Sequence, residues 1–300
     1  MKSSLYKKYF AVISMVFILF SVSCLNKKSS EITIAEVAKK TFDAGYSDIK
    51  MQIDSVFYAY GDTNEYKVVF YTPEASAKAC LLMLHGWNLQ GDEWCKKTGF
   101  CNEALKRGYI LIVPDFEKCN YPLHIYNETR PEYRRYPDLQ WIIDTVIADL
   151  QIRYKLLLEG HNNFVAGIST GGRGAGLLAF YKPEIFTGMA SLSGDFDITT
   201  MQDEFLYRAW FGDYKQFAER WRNECFAYNS KFYVVPSYVS HGKADKVSPV
   251  EQSMAMFDSL MKHHPELGHI AHFPDTAGHN YGFWGSETEA ILDFFDGLCR

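Results

Sequence analysis

Three hundred residues, 47% of them apolar and 16% aromatic, suffice to bury a large core. The formal net charge is −5, and with Lys2, Lys7 and Lys8 but no acid before Cys24, the chain beyond that point carries −8. An acidic body of this kind gives no support for nucleic-acid binding, which shows a basic stripe.

The first residues read as a targeting segment. Lys2, Lys7 and Lys8 form a positive region, followed by an apolar run from Phe10 to Phe20 that is too short to span a bilayer comfortably. Ser21-Val22-Ser23-Cys24 then resembles a bacterial lipoprotein signal, with Ser21 standing where that pattern favours Leu. The resemblance implies removal of residues 1–23, lipidation of Cys24, a membrane anchor there, and an exported, envelope-associated protein. An ordinary cleaved secretory signal is the alternative. Lys27 to Ser30 reads as a short polar tether, and Ile34, Val37, Ala38 and Phe42 give Glu31 to Tyr46 a helical spacing. The tether and helix, 24–48, precede one catalytic domain, 49–300.

Within that domain, Met51 to Tyr60 and Tyr66 to Tyr71 alternate apolar and polar residues around Gly61-Asp62-Thr63-Asn64, as in an edge hairpin. Cys80 to Leu84 and Tyr109 to Val113 are continuous apolar runs suited to buried strands, with a helix from Phe100 to Lys106 between them. A long amphipathic helix is expected over Asp138 to Leu158. The strand Phe164 to Ala166 and its helix follow, then strands at Gly188 to Leu192 and at Phe232 to Val235 with Ser237 to Ser240. A helix at Ser253 to Lys262, a last strand at His269 to Phe273 and a helix at Thr288 to Leu298 close the chain. Such alternation predicts an α/β fold with a mostly parallel, doubly wound sheet flanked by helices. Glu117 to Tyr136 and Thr199 to Tyr228, rich in Tyr, Trp and Phe, fit the alternation poorly. They read as insertions over the catalytic edge or, for the second, equally as aromatic helices packed in the core.

Six cysteines remain beyond Cys24: Cys80, Cys95, Cys101, Cys119, Cys225 and Cys299. An even count in an exported chain permits disulfides, and Cys95 with Cys101 is the first pair to test; buried free thiols are the alternative. No CxxC spacing exists and no His/Cys cluster has zinc-ligand spacing, so no metal and no cofactor are expected.

Gly167-Ile168-Ser169-Thr170-Gly171 lies where an apolar strand gives way to a small-residue helix, the setting of a nucleophile elbow. By composition alone this motif arises in roughly one chain in ten of this length, so its surroundings decide. A serine hydroxyl needs a base, and the base needs an acceptor that fixes its tautomer. Asp245 follows the Tyr233 to Ser240 strand and His279 follows the last strand, in the order Ser, acid, His. His279 alone among the nine histidines sits in a glycine-flanked loop after the last strand; His85 and His241 read as loop supports. Asp195 and Asp197 are rival acids whose simpler reading is a turn or helix cap. Backbone N–H groups of Thr170 and Trp87 are the candidate oxyanion donors. Trp87, Tyr121, Tyr126 and Trp284 are candidate pocket walls.

Met83-Leu-His-Gly-Trp87, Gly167-Ile-Ser-Thr-Gly-Gly172, Met189-Ala-Ser-Leu-Ser-Gly194, His241-Gly-Lys-Ala-Asp245 and Gly278-His-Asn-Tyr-Gly-Phe-Trp284 together resemble the esterase D-like α/β-hydrolases, which include feruloyl and acetyl xylan esterases. The resemblance covers residues 50 to 299. It implies the α/β-hydrolase fold, a Ser169, Asp245 and His279 triad, and hydrolysis of a small-molecule or polysaccharide-linked ester. Many relatives carry Met at the position of Thr170 and Asp at that of Asn280, departures that touch the pocket. A serine peptidase on the same fold is one alternative, although such enzymes usually carry a large extra domain for which the chain leaves no room. A non-catalytic carbohydrate-binding lipoprotein is the other. Oligomeric state is not legible.

Overall fold

Apolar runs such as Ala79–Leu84 and Tyr109–Asp115 have no polar face to offer water, and a sheet buried on both sides is the arrangement that hides them. The computed structural model describes Tyr46 and residues 54–300. The expected signal segment, Cys24 anchor, tether and first helix lie outside the described residues, apart from Tyr46, as does the start of the first strand.

The strands are β1 (Ser55–Tyr60), β2 (Asn64–Tyr71), β3 (Ala79–Leu84), β4 (Tyr109–Asp115), β5 (Asn163–Ile168), β6 (Gly188–Leu192), β7 (Ser237–Ser240) and β8 (Ile270–His272). They form one sheet in the order β1-β2-β4-β3-β5-β6-β7-β8. β1 with β2, and β2 with β4, pair antiparallel; all other pairs are parallel. The helices are α1 (Glu93–Lys97), α2 (Phe100–Lys106), α3 (through Leu139–Trp141, Ile142–Ile147 and Leu150–Tyr154), α4 (Thr170–Tyr181), α5 (Phe205–Phe211), α6 (Tyr214–Asn223), α7 (Val250–His263), α8 (Tyr281–Ser286) and α9 (Thr288–Leu298). This is the α/β-hydrolase fold.

Because side chains alternate across a strand, each central strand feeds two cores. Leu82, Leu84, Ile112 and Val165 face α3, α4 and α7, packing with Val146, Leu178 and Met256. Leu81, Met83, Leu111 and Ala166 face α1, α2 and α9, packing with Trp94, Phe100, Leu292 and Phe295. The chain leaves β3 for β4 on one side and returns to β5 on the other. Leu84 and Gly167 are partners across β3 and β5, so the loops beyond them diverge from one point. Crevices at such a switch point are where open α/β sheets bind ligands.

Two expected elements differ. The helix predicted for Asp138 to Leu158 ends at Tyr154, where Lys155 adopts φ 58°, and much of it is π-wound. The strand predicted from Phe232 begins only at Ser237. Phe226–Phe232 is a 3₁₀ turn, and Pro236, without an N–H, cannot extend the ladder toward it. The Cys95–Cys101 disulfide is formed and ties α1 to α2; Cys80, Cys119, Cys225 and Cys299 are free thiols. Among the described residues no helix is long and apolar enough to cross a membrane.

Candidate active site

The turn after β5 is crowded by backbone on both sides. A Cβ on Gly167 would lie 2.0 Å from the Gly171 carbonyl oxygen, and one on Gly171 would lie 2.2 Å from that of Leu84. Only glycine allows the strand, the elbow and the neighbouring β3 to approach so closely. Ser169 is thereby held at φ 55° and ψ −127°, a conformation that costs a non-glycine residue about 1–3 kcal/mol and that its surroundings impose. Its N–H donates to the Leu192 carbonyl at 2.8 Å, and its own carbonyl accepts from Gly172 at 2.8 Å.

The structure brings the three residues predicted for a triad together. Ser169 Oγ lies 2.9 Å from His279 Nε2, and His279 Nδ1 lies 2.7 Å from Asp245 Oδ2. Acid and base meet because β7 and β8 are parallel neighbours. The loops that follow them are stitched by Lys243 N–H to Pro274 O at 2.9 Å and Ala244 N–H to Ala277 O at 3.0 Å. Asp245 has a fully buried side chain. Burial alone would raise its pKa, but donors from His241, His279 and the backbone of Ser248 and Val247 hold the carboxyl well below the usual carboxylate range. Its Oδ1 accepts from the Val247 and Ser248 N–H groups at 2.8 and 3.0 Å, which fixes the plane of the carboxylate.

Trp87 and Thr170 flank the serine from two sides. A Cβ on Gly86 would meet Ser169 Cβ at 2.9 Å, so the loop after β3 presses directly on the nucleophile. Neither the Trp87 nor the Thr170 backbone N–H finds an acceptor among the described residues, and Thr170 opens α4. Free N–H groups at a helix start suit an anionic oxygen. The Trp87 indole is half-buried and meets the Tyr133 ring edge-on at 5.2 Å and that of Trp210 at 6.3 Å.

The other proposed pocket walls belong to the frame. Tyr121 is completely buried; its hydroxyl donates to the His85 carbonyl at 3.0 Å and its ring covers Gly174. Trp284 is buried beneath His279, edge-on at 5.0 Å, and its indole N–H donates to Ser193 Oγ at 3.2 Å. Tyr126 donates to Glu224 at 2.8 Å. These aromatics fell at loop positions in the sequence, where a wall and a brace look alike. Asn280 caps α8 by accepting from Phe283 N–H at 3.0 Å, a task that Asp performs equally well.

The rival acids are otherwise engaged. Asp197 caps the turn Ile198–Thr200, as the sequence suggested. Asp195 is not a cap as the sequence suggested: buried, it accepts from both Tyr207 Oη and Ser248 Oγ, linking α5 to the acid loop. His85 is buried and neutral, donating from Nδ1 to the Gly86 carbonyl and accepting the Phe116 N–H at Nε2, both at 2.8 Å; burial lowers its pKa. Sequence reasoning missed Arg173. This buried guanidinium donates to the carbonyls of Asn120, Tyr121 and Glu224 at 2.8 to 2.9 Å and to the Glu224 carboxylate at 3.0 Å. The one available signal was a charged residue placed among the small residues of α4.

Over residues 146–299, more than half of the chain, the sequence matches the model of the prolyl oligopeptidase family. The chain belongs to the prolyl oligopeptidase family. Solved structures agree on the fold. An S-formylglutathione hydrolase from Agrobacterium tumefaciens superposes with a TM-score of 0.64 at 13% identity, covering 86% of this chain and 100% of that one. A ferulic acid esterase gives 0.59 at 14%, covering 82% and 97%. The acylaminoacyl peptidase of Pyrococcus horikoshii gives 0.60 at 16%, covering 81% of this chain and 41% of its own. No curated protein matches the sequence. This member of the prolyl oligopeptidase family is therefore a serine hydrolase of α/β-hydrolase fold. Its match spans the elbow, acid loop and base loop together, which are the parts that bear the chemistry.

Proposed function

We propose that the protein hydrolyses carboxylic esters through an acyl-enzyme. The observation that carries this reading is the continuous hydrogen-bonded line from Ser169 Oγ through His279 to Asp245, at 2.9 and 2.7 Å, with two free backbone N–H groups beside the serine. His279 Nε2 takes the hydroxyl proton as Ser169 Oγ attacks the ester carbonyl, and Asp245 stabilises the imidazolium that results. The Trp87 and Thr170 N–H groups hold the oxyanion. Collapse of the intermediate expels the alcohol, which takes its proton from His279. Water, activated by the same imidazole, then releases the acid and restores Ser169.

An ester is favoured over a peptide by the motifs shared with esterase D-like enzymes and by the whole-length superposition on a ferulic acid esterase and an S-formylglutathione hydrolase. Acetyl or feruloyl groups on a polysaccharide are the substrates we infer, with Trp87 beside the acyl group. The family match favours a second reading, a peptidase using the same triad. Side-by-side assays of acetyl and feruloyl esters and of acylaminoacyl peptides decide between them. We expect kcat/KM for the best ester to exceed that for the best peptide by at least about 10²; the reverse ranking would replace esterase by peptidase. We further propose export and anchoring through lipidated Cys24. The Cys95–Cys101 disulfide accords with an oxidising compartment. Loss of radiolabelled lipid from Cys24→Ser tests the anchor.

A further inference from the structure

Asp245 Oδ2 serves two histidines. His279 Nδ1 lies at 2.7 Å, and His241 Nε2, from the residue that directly follows β7, lies at 3.2 Å on the same oxygen. His241 is completely buried, and its backbone is pinned by its N–H donating to the His272 carbonyl at 3.1 Å. Its Nε2 also lies 3.1 Å from the Ser248 carbonyl. A carboxylate and a carbonyl can only accept, so Nε2 carries the proton. On the other side Nδ1 lies 2.8 Å from Ser253 Oγ of α7, whose hydroxyl also reaches the Gly194 carbonyl at 3.3 Å. Ser253 thus fixes the ring in place and leaves Nε2–H directed at the acid loop.

We propose that His241 is a positioning residue for the acid: its Nε2–H completes the set of donors on Asp245 and sets how strongly the carboxylate holds the His279 cation. The proposal rests on the reading of Ser169, His279 and Asp245 as the reacting set. With His241 in place, Asp245 Oδ1 accepts from Val247 and Ser248, and Oδ2 accepts from His279 and faces the His241 Nε2–H, which it shares with the Ser248 carbonyl. Remove the His241 donor and Oδ2, still buried, keeps only His279. The anion is then less stabilised and draws harder on the His279 proton. The imidazolium gains, and the neutral base needed to begin catalysis becomes scarcer at a given pH. Among the described residues, further charged groups reach this network from two sides. From the loop after β6, Asp195 reaches Ser248 and is itself held by Tyr207 of α5; at the exposed mouth Lys243 pairs with Asp275 at 2.7 Å.

The test compares His241→Gln, His241→Asn and His241→Leu with the full wild-type chain, using a short-chain chromogenic ester from pH 5 to 9. A glutamine amide reaches the place of Nε2, whereas asparagine fills that of Nδ1 and leucine neither. For the leucine and asparagine variants we expect kcat to fall about tenfold with KM within twofold, the loss of one hydrogen bond to a charged group. The acid limb of kcat/KM should move upward by about half a pH unit or more. Glutamine should restore kcat to within threefold and return the limb to its wild-type position. If leucine does not fold, the glutamine and asparagine profiles carry the comparison. An unmoved limb in every variant, or identical glutamine and asparagine profiles, overturns the positioning role while Ser169 still reacts with a fluorophosphonate. Failure of wild-type Ser169 to react overturns the underlying triad as well, so the two failures are distinguishable.

Discussion

Asp245 shows how much of a site can rest on one buried carboxylate. It accepts from His279 and from two backbone N–H groups of its own loop, so its charge and its orientation are fixed together. Asparagine at this position keeps the size but removes the charge and favours the wrong imidazole tautomer. Asp245→Asn should therefore lower kcat for an ester by about 10⁴ while leaving the melting temperature within a few degrees, measured by steady-state kinetics and calorimetry. Ser169, Asp245 and His279 were legible in the sequence because each lies in a short local motif at a strand end. Arg173 escaped, and the cap and the loop support read for Asp195 and His241 fall short of what they do, because their partners lie 4 to 53 residues away. The His241-Gly-Lys-Ala-Asp245 motif was visible, but the contact between its two ends depends on how the loop folds back on itself.

At the scale of elements, continuous apolar runs located the strands well, since nothing else can bury both faces of Ala79–Leu84 or Gly188–Leu192. Ends were harder. Apolar residues of α3 continue to Leu158, yet the chain turns left-handed at Lys155, and Leu156 donates to the Leu150 carbonyl at 3.0 Å instead of to a helical partner. Phe232 to Val235 alternates exposed and buried side chains as a strand would, but Pro236 breaks the ladder. The approach to β8 carries a stability consequence. His269 is buried with neither ring nitrogen hydrogen-bonded, and burial lowers its pKa from 6.5 to about 4. The unfolded chain therefore binds a proton that the folded chain refuses between those values. Stability contributed by keeping His269 neutral is fully present above about pH 6.5 and is lost as pH falls toward 4. The loss is at most about 3 kcal/mol. Replacing His269 with Phe should flatten the fall in urea midpoint between pH 6.5 and 4.5 relative to wild type.

The whole molecule is organised by how two aromatic stretches close over the sheet edge. Their composition gave them away as departures from simple alternation, but not that they bind one another. Arg130 N–H donates to the Ala209 carbonyl at 2.9 Å, Thr129 Oγ1 to that of Trp210 at 2.8 Å, and Arg220 pairs with Glu128 at 2.6 Å. Trp210 and Trp221 are completely buried, so the second stretch is a cap and a core at once. Arg173 fastens that assembly to the elbow helix through Glu224, both side chains being out of water. Burial raises the Glu224 pKa and the Arg173 charge opposes that rise, so removing one partner strands the other. Arg173→Ala should cost about 3–5 kcal/mol by denaturant titration, a loss far beyond that of an exposed ion pair. Activity in the surviving folded fraction should fall too, because Arg173 sits four residues from the nucleophile and positions the segment that carries Tyr121.

All of this converges on Ser169 as the atom that attacks. The most direct measurement is reaction of the intact protein with a fluorophosphonate, followed by peptide mass spectrometry. One adduct per chain on Ser169 is expected, absent in Ser169→Ala, with ester turnover in that variant reduced by at least about 10⁴ and the fold unchanged. Labelling elsewhere, or an alanine variant that keeps wild-type turnover, would contradict the account.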